Sequence, residues 1–126
     1  MVEITEIKED YWSLTAEMYS KLIAEPEMTE DLLTRLTFVD VYKIIRMTMN
    51  RTGFGSGLYT QEESDAVLQQ EKGNKIEFLT KLIMLTETII EESVDVDPEK
   101  IVDGLEPERT NVFLRAFYQA ATSGVD

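Results

Sequence analysis

The chain has 126 residues, enough for one continuous apolar core and too few for two. Apolar residues make up 43% and charged residues 29%, a globular balance, and the absence of cysteine and histidine excludes disulfides, thiolate nucleophiles, Cys/His zinc sites and the commonest general base. Twenty-five acids against twelve bases give a formal charge of −13, a field that repels polyanions, so neither nucleic acid nor an anionic membrane is an expected partner.

The first ten residues read as an N-terminal extension without a basic segment followed by an apolar run, and no stretch approaches the roughly 18–20 apolar residues of a membrane span. The chain is expected to be soluble. Tyr11, Leu14, Met18 and Leu22, with Ile23 beside them, fall at helical steps and predict a helix over 11–23 with that stripe inward, closed by Pro26. Thr29 is placed to cap a short helix whose Leu32, Leu33 and Leu36 face the core. Over 38–49, Val41, Ile44, Ile45 and Met49 line one side of a helix and Lys43, Arg46 and Asn50 the other.

Next comes RTGFGSGLYT, residues 51–60. Gly53 sits where a helix C-cap glycine belongs. A phosphate loop would follow a strand, open a helix and carry Gly-Lys-Ser/Thr; none of these is here, and an acidic run follows Tyr59. The stretch therefore predicts a structural loop, with Phe54, Leu58 and Tyr59 tucked onto the core. Residues 61–70 predict a weak helix broken at Gly73-Asn74. Residues 76–90 are apolar on most of a helix circumference and predict the central helix of the domain. Asp97-Pro98 opens a short helix ending at Gly104, and Glu106-Pro107 opens the last one, with Val112, Phe113, Ala116, Phe117 and Ala120 inward. Residues 122–126 are expected to fray. The fold class is all-α, with four substantial helices and two or three short ones.

Carboxylates are the only catalytic candidates, and the densest run is Glu91, Glu92, Asp95, Asp97, Asp103 and Glu106. It lacks the glycine turn and distal glutamate of a calcium loop, since Pro98 follows Asp95-Val-Asp97. It reads as a solvated acidic face, and no catalytic residue, cofactor or metal is expected. Positive charge is in local excess in one place only, where Arg35, Lys43, Arg46 and Arg51 stand against the single acid Asp40. Either this is a solvated face balancing nearby acids or it docks an acidic partner. Met47, on the same outward side, suits an adaptable contact.

The order of pieces adds a resemblance. TGF, two residues, GLYT; then KIEFLTKLIMLTETII; then KIVDGLEPERTN together resemble, over about residues 22–121, the N-terminal calponin-homology-like domain of the TRAF-interacting, microtubule-interacting subunit of the intraflagellar transport B complex. The resemblance implies a calponin-homology-like helical domain over 11–121 that binds no nucleotide. It also implies an adaptor of ciliary transport found in the cilium or flagellum and in cytoplasm near the basal body. Tubulin or microtubules, and other intraflagellar transport proteins, are the implied partners. In that family a coiled coil follows the head. Where the family has Lys-Pro-Pro-Phe-Arg, this chain has Arg35-Leu-Thr-Phe-Val39, which keeps one base and the phenylalanine. The competing expectation is an acidic protein-docking module of the same complex that does not bind tubulin.

Overall fold

The computed structural model describes residues 10–67 and 71–123 and has, among them, seven helices and no strand. In chain order they are α1 (Tyr11–Ser20), α2 (Glu30–Thr34), α3 (Phe38–Thr52), α4 (Gln61–Val67), α5 (Lys72–Ile90), α6 (Pro98–Val102) and α7 (Pro107–Ser123). Four are long and three short, as the sequence predicts, and among the described residues none is long and apolar enough to cross a membrane. Local capping chemistry sets several ends. The Thr29 hydroxyl accepts from the Leu32 N–H at 3.1 Å and the Asp97 carboxylate from the Glu99 N–H at 3.0 Å, each satisfying a first-turn donor that a helix leaves free.

α7 is the hub of the fold. It packs against α1, α2, α3 and α5, whereas α5 packs mainly against α4, α6 and α7. Phe113, Leu114, Phe117, Ala120 and Ala121 are all essentially buried, and the alanines let neighbouring helices close in. Each large apolar side chain removed from water there contributes about 1.5–3 kcal/mol. The expectation that α5 is the central helix is thus corrected: its Met84 is 61% exposed and its Ile89 42%. Apolar abundance does not say which side is covered, and the small residues of α7 permit the closest packing on more sides.

The inward face of α1 is turned by one position, whereas α7 buries Phe113, Phe117 and Ala120 as expected and departs only beside them. On α1, Leu14 is 53% exposed while Thr15 and Tyr19 are fully buried. The Tyr19 hydroxyl donates to the Leu114 carbonyl at 2.5 Å, and Arg115 Nη1 donates to the Tyr11 carbonyl at 2.7 Å and to Thr15 Oγ1 at 3.0 Å. These polar contacts set the rotation of α1, and apolar periodicity does not register them. On α7, Val112 points outward and Leu114 inward, because Asn111 is buried with its amide donating to the Leu33 carbonyl at 2.8 Å.

Helix ends differ in three places. α1 stops at Ser20 rather than residue 23, although Ile23 remains buried. Gly73-Asn74 does not break the chain but lies in the first turn of α5, where backbone N–H groups have no helix partner to lose. α7 continues through Thr122 and Ser123, whose hydroxyls donate to the Tyr118 and Ala120 carbonyls. Residues 1–9 of the expected extension, 68–70 of the expected weak helix and 124–126 of the expected tail lie outside the described residues.

Candidate functional site

The basic face is built by α3. Its first turn is fixed by a capping box in which Thr37 Oγ1 accepts from the Asp40 N–H at 3.3 Å and Asp40 Oδ2 accepts from the Thr37 N–H at 3.1 Å. Its last turn is closed by Gly53 at φ 78°, whose N–H donates to the Met49 carbonyl at 2.7 Å. Between the caps Phe38, Val41, Ile44, Ile45 and Thr48 are buried. At about 100° per residue, Lys43, Met47 and Asn50 then fall within roughly 60° of arc on the opposite side, with Arg46 and Arg51 as flanks. Val39, 56% exposed, extends this face toward the helix start.

Arg46 is half-buried and lines an open recess of about 360 Å³ with Asn50 and the glycine loop. Its charge also reaches Tyr59, whose phenol is raised above its ordinary range by burial first and by Glu63 second, against the lowering pull of Arg46. The loop is structural, as predicted: Phe54 meets Phe117 edge-on at 5.8 Å, Tyr59 stacks on Phe78 at 4.4 Å, and the Tyr59 hydroxyl donates to the Phe78 carbonyl at 2.6 Å. Arg51 lies at the other flank, its Nε donating to the Leu22 carbonyl at 3.3 Å.

Arg35 stands apart. It caps the C-terminal end of α2 and pairs with Asp31 at 3.5 Å, a pair about 80% exposed on both sides and of little energetic weight. Structure therefore joins Lys43, Arg46 and Arg51 on one helix and leaves Arg35 on the preceding element, already neighboured by an acid.

One base escaped the sequence reading. Lys21, just after α1, lines the same groove as Met47 and Arg51, although it is 30 residues from Arg51 in the chain. Only the packing of α1's end beside α3 brings it there. Most other bases are engaged by carboxylates: Lys72 with Glu99 and Asp103, Lys81 with Glu63, Lys100 with Glu106 and Arg109 with Asp95. Lys75 lies over the Phe38 ring, and Arg115 is held by α1. Among the described residues Lys21, Lys43, Arg46 and Arg51 have no carboxylate partner, in a chain with twice as many acids as bases. The acidic stretch, by contrast, works within the fold: Asp97 caps α6, and Asp95, Asp103 and Glu106 hold bases.

This capped helical assembly, with a recessed glycine loop and an Asn111-bearing last helix, is of the calponin-homology-like class. The chain belongs to the family described as the microtubule-binding protein MIP-T3 CH-like domain, whose pattern it matches over residues 11–123. It is also 39% identical over 101 residues to TRAF3-interacting protein 1 of Mus musculus and of Rattus norvegicus, and 36% identical over 101 residues to that of Danio rerio. Each match covers 80% of this chain, which spans only 16% of the length of these relatives.

Proposed function

We propose that the domain, residues 11–121, is a non-enzymatic protein-binding head of an intraflagellar transport subunit, an adaptor in ciliary transport that engages tubulin or microtubules through the α3 face. The observation that carries this reading is the group of unpaired cations: Lys43, Arg46 and Arg51, joined by Lys21, with Arg35 at the margin. Bases left without carboxylates in a chain of charge −13 are free to meet an acidic partner. Membership of a family named for microtubule binding, and the likeness to TRAF3-interacting protein 1, support that partner class and a cilium or cytoplasm location; cytoplasm near the basal body belongs to the same reading. Partners among other intraflagellar transport proteins belong to the same reading.

The test is binding of the domain to soluble αβ-tubulin at about 50 and 150 mM salt, beside a Lys43→Glu/Arg46→Glu variant. Exposed charges screened over about 10 Å at 0.1 M make such a contact steeply salt-dependent. Binding that weakens with salt and disappears in the variant supports the α3 face; binding untouched by the reversal removes it. The charge of −13 and the single base between residues 35 and 39 favour one competing reading, docking of a transport-complex protein on the acidic surface. In that case tubulin fails to bind at either salt.

A further inference from the structure

Beside the α3 face runs a groove of about 510 Å³, with Lys21, Leu22 and Ile23 on the α1 side and Met47, Asn50 and Arg51 on the α3 side. Its walls are largely apolar, its charged lining residues are both cations, and no acid lines it although acids outnumber bases two to one in the chain. The nearest acids in sequence, Glu17 and Glu25, are not among the lining residues. Met47, 39% exposed, is one of its lining residues, and Arg51 is held in place by its bond to the Leu22 carbonyl. Met47 sits about 40° from Lys43 around the helix, so the groove continues the basic face rather than forming a separate site.

We infer that this groove takes one apolar side chain of an acidic peptide segment, with Lys21 and Arg51 holding carboxylates on either side of it. The inference rests on the proposed docking role of the α3 face and adds its specificity: acidity alone is not enough, and the segment must carry an apolar residue among its acids. Lys21 and Arg51 give the peptide its position by charge. Met47, flexible and polarizable, adapts to the inserted side chain. A second copy of the domain is disfavoured as occupant because two chains of charge −13 repel each other.

The experiment compares two labelled probes by fluorescence anisotropy: a short glutamate-rich peptide with one central leucine, and the same peptide with glutamate in that place. The ¹³C-methyl signal of Met47 is followed in parallel. The leucine peptide is expected to bind about tenfold more tightly, as partial burial of one leucine allows, and to shift the Met47 methyl. Met47→Gln, a change at an exposed position, removes the tenfold gain and leaves the control peptide's affinity alone; Lys21→Gln weakens both peptides alike. Equal affinities, binding of neither peptide, or a gain that survives Met47→Gln overturns the groove. A Met47 signal that moves with protein concentration alone shows a second copy seated there and overturns the peptide as occupant. The docking partner is judged separately. A leucine preference with no tubulin binding keeps the groove and rejects tubulin, whereas tubulin binding lost in the charge-reversed variant with no leucine preference keeps the α3 face and rejects the groove.

Discussion

Asn111 ends the EPERTN motif that carries much of the family resemblance, and its replacement by alanine measures what that residue does. Its Nδ2 donates to the Leu33 carbonyl at 2.8 Å and to the Pro107 carbonyl at 2.9 Å, and the residue is fully buried. Pro107 has a helix ladder to serve it, but Leu33 is in the last turn of the five-residue α2, where carbonyls lack helix partners. Among the described residues the amide of Asn111 is the only donor to that oxygen. Losing it leaves a buried acceptor unsatisfied, at about 1–3 kcal/mol. Part of this is offset, because Asn111 Oδ1 is itself buried without a partner among the described residues and alanine removes it. The net expectation for Asn111→Ala is a loss of about 1–2 kcal/mol, or about 4–8 °C in Tm for a domain of this size.

Urea unfolding followed by circular dichroism reads the first figure and calorimetry the second. Asn111→Asp sharpens the test. Burial against two carbonyl oxygens raises the folded-state pKa of the introduced carboxyl above its unfolded value near 4. With the folded pKa the higher one, the folded state holds the proton more tightly. Stability is then kept below about pH 4 and falls as pH rises from there through the folded pKa. An alanine variant within about 0.3 kcal/mol of the parent, or an aspartate variant whose stability is flat between pH 4 and 7, would refute the assignment of Asn111 as the tie between α2 and α7.

Glu63 is lowered from its ordinary range, first by the Thr60 N–H at 2.9 Å and then by Lys81 at 2.9 Å, so its contribution is present above about pH 4.3 and is lost as pH falls through the lower folded value. Glu63→Gln should flatten that part of the acid limb in a pH series of urea melts. Tyr19 is raised by burial, so its contribution is full below about pH 10 and declines as pH rises beyond it. Tyr19→Phe should cost about 1 kcal/mol at neutral pH for one lost hydrogen bond and weaken the alkaline decline. Gly55 stands at φ 76°, and a Cβ there would meet Met49 Cε at 2.9 Å. The methionine end can move, but the backbone strain stays, so Gly55→Ala should lose about 1–2 kcal/mol by chemical denaturation.

Much of this molecule is legible in local chemistry. Thr29, Gly53 and Asp97 mark helix ends because capping needs only a side chain and the few N–H or carbonyl groups nearest to it in the chain, and Pro107 marks a start because proline suits the first helical position. The α3 bases are legible for the same reason: a buried stripe of Val41, Ile44 and Ile45 leaves Lys43 and Arg46 no place but the surface. The inward face of α1 is read one position off and that of α7 is missed at Asn111 and Leu114, since Thr15, Tyr19 and Asn111 are set by hydrogen bonds to residues 78–100 positions distant.

The sequence by itself determined an all-α domain, the positions of several caps, the Gly53 stop before the glycine loop and the presence of positive charge on one helix, all consequences of contacts within a few residues. Only the tertiary structure decided that α7 rather than α5 is the hub, that Arg35 stands apart with Asp31, and that Lys21 joins Met47 and Arg51 across a groove. Those outcomes depend on which helix faces cover one another. Periodicity identifies a face that can be buried, but the choice of partner is made by shape, by small residues such as Ala120 and Ala121, and by buried polar ties between segments far apart in the chain.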